Sequence, residues 1–549
     1  MKKIILILLL VVAVSCKDKA APKIYFKQYN ETSELEKQKE HENPRMKFKL
    51  IQSKSLDMNT VFAPLENELT KFSEKEYQKV KPLILEKDIP SLQKSIFEGK
   101  LSYEKLALFY LYRIRKFESD STLSLNSIIT LNPNVLIEAR EKDKKRKASF
   151  NEYSVYGMPI VLKDNINTKG MPTTAGAMVL ANNKNTEDAF IVERLRKKGA
   201  LILGKVNLSE WAYFFCTGCP LGYSAVGGQT LNPYGRKIFE TGGSSAASGV
   251  TVAANFAVAA IGTETSGSIT SPSSLNSVVG LKPTIGVLSR TGIVPISSTL
   301  DTPGPMTKSV IDNAIVLSAM LGYDEDEAIY KKVDANEYEN ININKESVKG
   351  KKLGVLTSLL NDSIYKLTID KLALEGAEII ELTPPEVDFE GFLTLLSIDM
   401  KHDLPKYLKN HSDKTVSVRS VKDIITFNKK DSLVRAPYGQ QLFEGILKDT
   451  TTLEGLAKIK SKLQFQGEKY LEALKDSKVD VILSINNYHS GIAAVAKYPT
   501  LTVPMGYKNS GEPISLTFIG LPMAERKLLT IGYAFEQLTK ARKMPENYQ

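Results

Sequence analysis

The sequence predicts an α/β protein in which a β-sheet is covered by helices. Three observations carry that expectation. Apolar runs of strand character alternate with amphipathic runs of helical period along most of the chain. With 549 residues, 42% of them hydrophobic, the chain can bury a large core in one big domain or several smaller ones. The stretch Thr241–Thr284 is rich in Gly, Ser, Thr and Ala and almost free of charge, in a chain where 25% of residues are charged. Two Gly/Ser turns, at 242–245 and 266–268, flank an apolar run there that has to be buried. Turns built from hydroxyls and glycines suit a site where backbone N–H groups and a serine approach a substrate closely.

At the N-terminus, Lys2 and Lys3 precede an apolar run from Ile4 to Val14, followed by Ser15, Cys16 and immediate charge. That layout, residues 1–15, is a secretory signal peptide, and the run is too short to span a membrane. Its Val-Ser-Cys ending resembles a bacterial lipoprotein signal, although Ala13 stands where such signals more often carry Leu. The resemblance implies that Cys16 is acylated and becomes the new N-terminus. The protein is then exported and lipid-anchored in the bacterial envelope, by more than one acyl chain. Cleavage removes Lys2 and Lys3 and lowers the formal charge from +11 to +9. An uncleaved N-terminal anchor is the alternative.

Residues 16–87 are charged and sparsely apolar, and read as a solvated spacer with helix from Ser73 onward. Ile89, Leu92 and Ile96, then Leu101, Leu106, Phe109 and Ile114, recur at helical spacing, with Gly99 as a stop between two helices. Residues 125–131 read as a strand ended by Asn132-Pro133, and 135–147 as a charged helix. Residues 155–168 hold a buried strand with Lys163 at or near its end; helix 187–198 and strand 200–203 follow. Beyond the central stretch come a loop (290–305), a helix (309–321) and a polar surface excursion (324–350). Strand 354–356, helix 364–375, strand 377–382, a mostly helical region 385–475, strands 479–484 and 500–504, and helix 524–540 complete the chain.

Basic residues are interspersed with acidic ones and there is a single Trp, so the net charge does not indicate a nucleic-acid partner. Cys216 and Cys219 form a lone C-x-x-C without the second ligand pair of a zinc site, which leaves packing cysteines or a local disulfide.

Three residues stand out chemically: Lys163, Ser244 and Ser268. A serine nucleophile needs a base, yet the four histidines, at 41, 402, 411 and 489, lie in spacer, charged or loop contexts, and no G-x-S-x-G elbow occurs. A buried lysine can serve instead if its pKa falls from ~10.4 to about 7, a cost of about 4 kcal/mol that desolvation in an apolar pocket supplies. The competing reading of Lys163 is a strand-end lysine paired with Asp164.

Four ordered motifs bear on that choice: Gly157-x-Pro159-x-x-x-Lys163-Asp164-Asn165, Gly242-Gly243-Ser244-Ser245, Gly262-Thr-Glu-Thr-Ser-Gly-Ser268 and Gly280-Leu-Lys-Pro-Thr284. Together they resemble the amidase signature family, and the likeness extends over roughly residues 88–545 through Asn207–Trp211, Gly227–Pro233, Asp301–Met306 and Tyr498–Pro504. The GTET form of the nucleophile motif is most similar to peptide amidases and related bacterial amidases. The resemblance implies a single large α/β/α domain with a central mixed β-sheet. It implies a serine amidohydrolase that converts a carboxamide to an acid plus ammonia or amine through an acyl-enzyme. Ser268 is then the nucleophile, Ser244 the bridging serine after a cis Gly243–Ser244 peptide, and Lys163 the neutral base. Backbone N–H groups of Thr265, Ser266, Gly267 and Ser268 form the oxyanion hole.

The substrate class implied is a small-molecule or peptide amide, with no cofactor and no metal. Two positions depart from the family pattern. Ser266 replaces a usual Gly or Asp, and Thr270 replaces a frequent Arg, which removes a cation that would meet an acidic substrate. Two alternatives remain at this stage: the amidase subunit of a tRNA-dependent amidotransferase, disfavoured by the signal peptide, and a catalytically dead surface-binding lipoprotein. Residues 385–475 are expected to shape the substrate pocket.

Overall fold

The computed structural model describes residues 26–145, 151–327, 329, 331, 333 and 347–549. The signal-like segment, Cys16 and most of the stretch 324–350 lie outside the described residues.

Among these, eleven strands form one mixed sheet. Its N-terminal strands are β1 (Ile128–Leu131), β2 (Pro159–Lys163) and β3 (Leu201–Val206), and a separate ribbon pairs β4 (Tyr223–Ser224) with β5 (Gly228–Gln229). The centre comprises β6 (Ala259–Glu264), β7 (Val279–Lys282) and β8 (Thr302–Thr307). The far wing comprises β9 (Lys352–Leu356), β10 (Glu378–Leu382), β11 (Val481–Ile485), β12 (Thr500–Tyr507) and β13 (Pro513–Ile519). The order is β1-β3-β2-β6-β8-β7-β12-β13-β11-β9-β10. Pairing is parallel for β3-β2-β6 and for β11-β9-β10, and antiparallel through the middle. A large α/β domain with a central mixed sheet is therefore what the family resemblance implies and what the chain forms.

β2, β3 and β6 are buried along their whole length, which is why they read as continuous apolar runs rather than alternating ones. The helix Ala246–Ala253 is buried at every position and built of small residues. Its packing demands them: a Cβ on Gly249 would stand 2.7 Å from the Pro272 carbonyl oxygen. The helices Ile89–Phe97 and Tyr103–Glu118 form as the spacing predicts, capped by the Asp88 and Ser102 side chains, with Gly99 between them at φ +74°.

Three sequence expectations need correction. Residues 26–87 are no solvated spacer but a belt of short helices laid on the domain. Met46, Phe48, Ile51, Phe62, Leu65 and Leu69 are each at most 5% exposed and join the main core. Ile51 O accepts from Gln229 N at 2.8 Å and the Ser53 hydroxyl donates to Val226 O at 2.6 Å, so the belt is hydrogen-bonded down as well. Its apolar residues are few, but nearly all face inward, which an average over the segment conceals. The expected loop 290–305 ends in β8, a central strand. Pro303 and Pro305 argue against a central strand, yet β8 pairs along its length with β6 and only through Met306 and Thr307 with β7. The start of the 324–350 excursion is tied down: Asp324 accepts from the Ser289 hydroxyl and Glu327 from Arg290 N at 2.9 Å.

Candidate active site

Lys163 closes β2, whose parallel register with β6 sets Leu162 opposite Ile261 and so brings the lysine to the Gly262–Glu264 end of β6. Its side chain is fully buried. Nζ donates to Ser244 Oγ at 2.7 Å, to Thr263 Oγ1 at 2.8 Å and to Thr263 O at 3.1 Å. Burial pushes its pKa down from 10.5 to about 7, against the opposing pull of the Asp301 and Glu264 carboxylates. The alternative partner, Asp164, points elsewhere: it pairs with Lys205 at 3.0 Å, both side chains fully buried, and accepts from Thr174 N at 3.1 Å. The strand-end ion pair of Lys163 with Asp164 is thereby excluded.

Ser244 is fully buried and follows a cis Gly243–Ser244 peptide bond. Its carbonyl accepts from Ser209 N at 3.0 Å. Ser245 N donates to Ser268 O at 3.1 Å, which stitches the two Gly/Ser turns together. Ser268 retains 9% exposure where Ser244 and Lys163 retain none, so it is the most accessible of the three.

Between β6 and the short helix Thr270–Leu275 the chain makes a turn around the Glu264 carboxylate. Glu264 accepts from Gly267 N at 2.8 Å, Ile269 N at 2.7 Å, and Thr270 N and Oγ1 at 2.9 Å each. Gly267 sits at φ +91°, the left-handed conformation that turns its N–H toward that carboxylate. Gly267 is therefore not a free oxyanion donor, contrary to the sequence expectation. The N–H groups of Thr265, Ser266 and Ser268 find no protein acceptor among the described residues. Thr270, through both its N–H and its hydroxyl, completes the Glu264 shell.

A cavity of about 270 Å³ is lined among others by Asn165, Thr263, Thr265, Asp301, Tyr407 and His411; it reaches the trio through Thr263, the partner of Lys163, while Lys163, Ser244 and Ser268 themselves are not in its lining. Tyr407 and His411 come from the region 385–475. Asp301 accepts from Thr265 Oγ1 at 2.6 Å, and from Ile296 N and Ser297 N at 2.8 and 2.9 Å. Burial pushes its pKa up to about 6. Asn165 Nδ2 donates to Thr263 Oγ1 at 3.0 Å. Cys216 and Cys219 are closed as a local disulfide, away from this cavity's lining.

Lys163, Ser244, Thr265, Ser266, Gly267 and Ser268 thus converge, while Cys16 lies outside the described residues. Sequence reasoning missed Thr263, Asn165 and the bracing role of Glu264. Each sits inside a motif already quoted, two to five residues from Lys163 or Ser268. The signal was present, but their contacts run between strands. Lys205, embedded in an apolar strand like Lys163, carried the same signal for burial and also went unread.

A family model described as Amidase matches residues 109–484. A protein of Arabidopsis thaliana named "Probable amidase" is 36% identical over 485 residues, covering 84% of this chain and 92% of the relative. The solved structure of an amidase family protein from Bacillus anthracis is 38% identical, with a TM-score of 0.84 over 90% of this chain and 100% of that one. The solved peptide amidase of Stenotrophomonas maltophilia is 36% identical, with a TM-score of 0.78 over 84% of this chain and 99% of that one.

Proposed function

This chain belongs to the amidase family and is a serine amidohydrolase, and from that premise we propose that Ser268 attacks the substrate carboxamide with Lys163 as base and Ser244 as the bridge. The observation that carries this reading is the 2.7 Å contact between a fully buried lysine Nζ and the Ser244 hydroxyl. With its pKa near 7, Lys163 is substantially neutral at physiological pH. Its lone pair takes the Ser244 proton, and Ser244 takes that of Ser268 as the new C–O bond forms. The oxyanion is met by the N–H groups of Thr265, Ser266 and Ser268, held in place by the turn around Glu264. Collapse of the tetrahedral intermediate breaks the C–N bond. The proton stored on Lys163 returns through Ser244 to the departing nitrogen, and water releases the acid by the reverse relay.

The substrate we assign is a peptide carrying a C-terminal carboxamide. Supporting it are the likeness to a solved peptide amidase, the cavity of about 270 Å³ that Thr263 and Thr265 line, and Thr270 in place of a cation that would hold a free carboxylate. Export and lipid attachment at Cys16 belong to the same reading. They rest on the charge, apolar run and cysteine of residues 2–16. The Cys216–Cys219 disulfide suits an oxidising compartment. Among the described residues no helix is long and apolar enough to cross a membrane.

The test is ammonia release from peptide amides by wild type and by Ser268→Ala. Loss of release in the variant, with its melting temperature kept, is the expected result; undiminished release removes Ser268 from the role.

A further inference from the structure

Thr263 supplies two of the three hydrogen bonds that Lys163 makes, through its hydroxyl at 2.8 Å and its own carbonyl at 3.1 Å. A carbonyl oxygen can only accept, so one lysine N–H is committed to it in either protonation state. Neutral lysine then has one N–H and one lone pair to divide between the Thr263 hydroxyl and Ser244 Oγ. If the hydroxyl accepts, the lone pair faces Ser244 and the base is productive. If the hydroxyl donates, the lone pair is spent on Thr263 and the base is idle.

We propose that Thr263 is a positioning residue whose hydroxyl, held as an acceptor, aims the Lys163 lone pair at Ser244. This deepens the assignment of Lys163 as base and rests on it. The surroundings favour the accepting state. Asn165 Nδ2 donates to Thr263 Oγ1 at 3.0 Å, an amide that the carbonyl of Val294 also fixes as a donor, at 3.5 Å. Thr263 also lines the cavity of about 270 Å³, where its own proton has room to find an acceptor in water or bound substrate. The arrangement has a catalytic consequence. When Lys163 takes the Ser244 proton, the resulting ammonium has three N–H bonds and three acceptors already in place. Proton uptake and return need no movement of heavy atoms.

The experiment is the pH dependence of kcat and KM for Thr263→Val, Thr263→Ser and Asn165→Asp on one peptide amide. Removing the hydroxyl takes an acceptor from the ammonium, so Thr263→Val lowers kcat about tenfold or more, leaves KM near wild type and moves the acid limb down by about one pH unit. Thr263→Ser keeps the acceptor and restores both. Asn165→Asp places a carboxylate where it receives the Thr263 proton, and moves the acid limb upward. A purely structural Thr263 instead gives variants that lose kcat and stability together with an unmoved acid limb, and that overturns the proposal. So does a Thr263→Val enzyme of wild-type kcat. Should Thr263→Val not fold, Asn165→Asp decides: an acid limb left in place contradicts the role. Failure of the base assignment itself is distinguishable, because then wild type shows no acid limb attributable to Lys163.

Discussion

The Lys205 ammonium lies 3.0 Å from the Asp164 carboxylate, and this pairing of adjacent strand ends leaves Lys163 bonded to two hydroxyls and a carbonyl. Burial pushes the pKa of both lysines down; at Lys205 the contacting Asp164 carboxylate opposes that push, whereas the hydrogen-bond partners of Lys163 carry no charge. Two fully buried lysines on neighbouring strands thus sit in different surroundings, one against a carboxylate and one against two hydroxyls and a carbonyl.

Breaking that pair strands a buried charge. Asp164→Ala leaves Lys205 unpaired and is expected to cost about 3–5 kcal/mol of stability. Denaturant unfolding measures it; a loss below about 1 kcal/mol would show that the pair does not anchor this edge of the site.

The turn around Glu264 predicts a catalytic rather than a binding defect. Glu264→Ala frees the Gly267, Ile269 and Thr270 N–H groups that the carboxylate now holds. Loss of donor alignment at an oxyanion site costs about 10²–10³ in kcat, with KM changed little. A variant that raised KM at unchanged kcat would place Glu264 in substrate binding instead.

The belt predicts dependence of the whole domain on residues that composition marks as a tether. Phe62 is 2% exposed and stacks on Phe26 with ring centroids 5.3 Å apart. Phe62→Ala is expected to cost about 3–5 kcal/mol, and deletion of residues 26–87 to yield insoluble protein. A soluble, active deletion enzyme would return the segment to the role of a spacer.

Lys163 also carries a stability signature. Its pKa is depressed from 10.5 to about 7, so between those values the unfolded chain binds the extra proton and stability rises with pH. Below about 7 the penalty of burying this lysine is present in full. Lys163→Met is therefore expected to be more stable than wild type at pH 7, by a margin that shrinks as the pH approaches 10. A margin independent of pH would contradict the depressed pKa.

Much of this was legible before the fold was known, because its signals are local. β2 and β3 read as apolar runs, the paired helices 89–118 as a 3.6-residue period, and the triad as Gly/Ser turns with one lysine at a strand end. What was hidden depends on partners distant in sequence. β8 contains Pro303 and Pro305, and its pairing with β6 on one side and β7 on the other is what makes it a central strand. The belt has too few apolar residues for its mean to reveal that nearly all of them turn inward. Thr263 stands in a quoted motif, yet its relation to Lys163 exists only through the register of β2 against β6. Gly267 was assigned to the oxyanion hole with its neighbours, and its left-handed backbone hands its N–H to Glu264 instead.

The central claim is that a neutral Lys163 drives acylation of Ser268. It is tested most directly by the pre-steady-state rate of acyl-enzyme formation from a peptide amide, measured from pH 5 to 9 in wild type and Lys163→Ala. The account predicts a wild-type rate that climbs with pH and levels off above about 7. It predicts a Lys163→Ala rate lower by about 10² or more, with that limb absent. An acylation rate in Lys163→Ala that matches wild type, or that keeps the same acid limb, would contradict it.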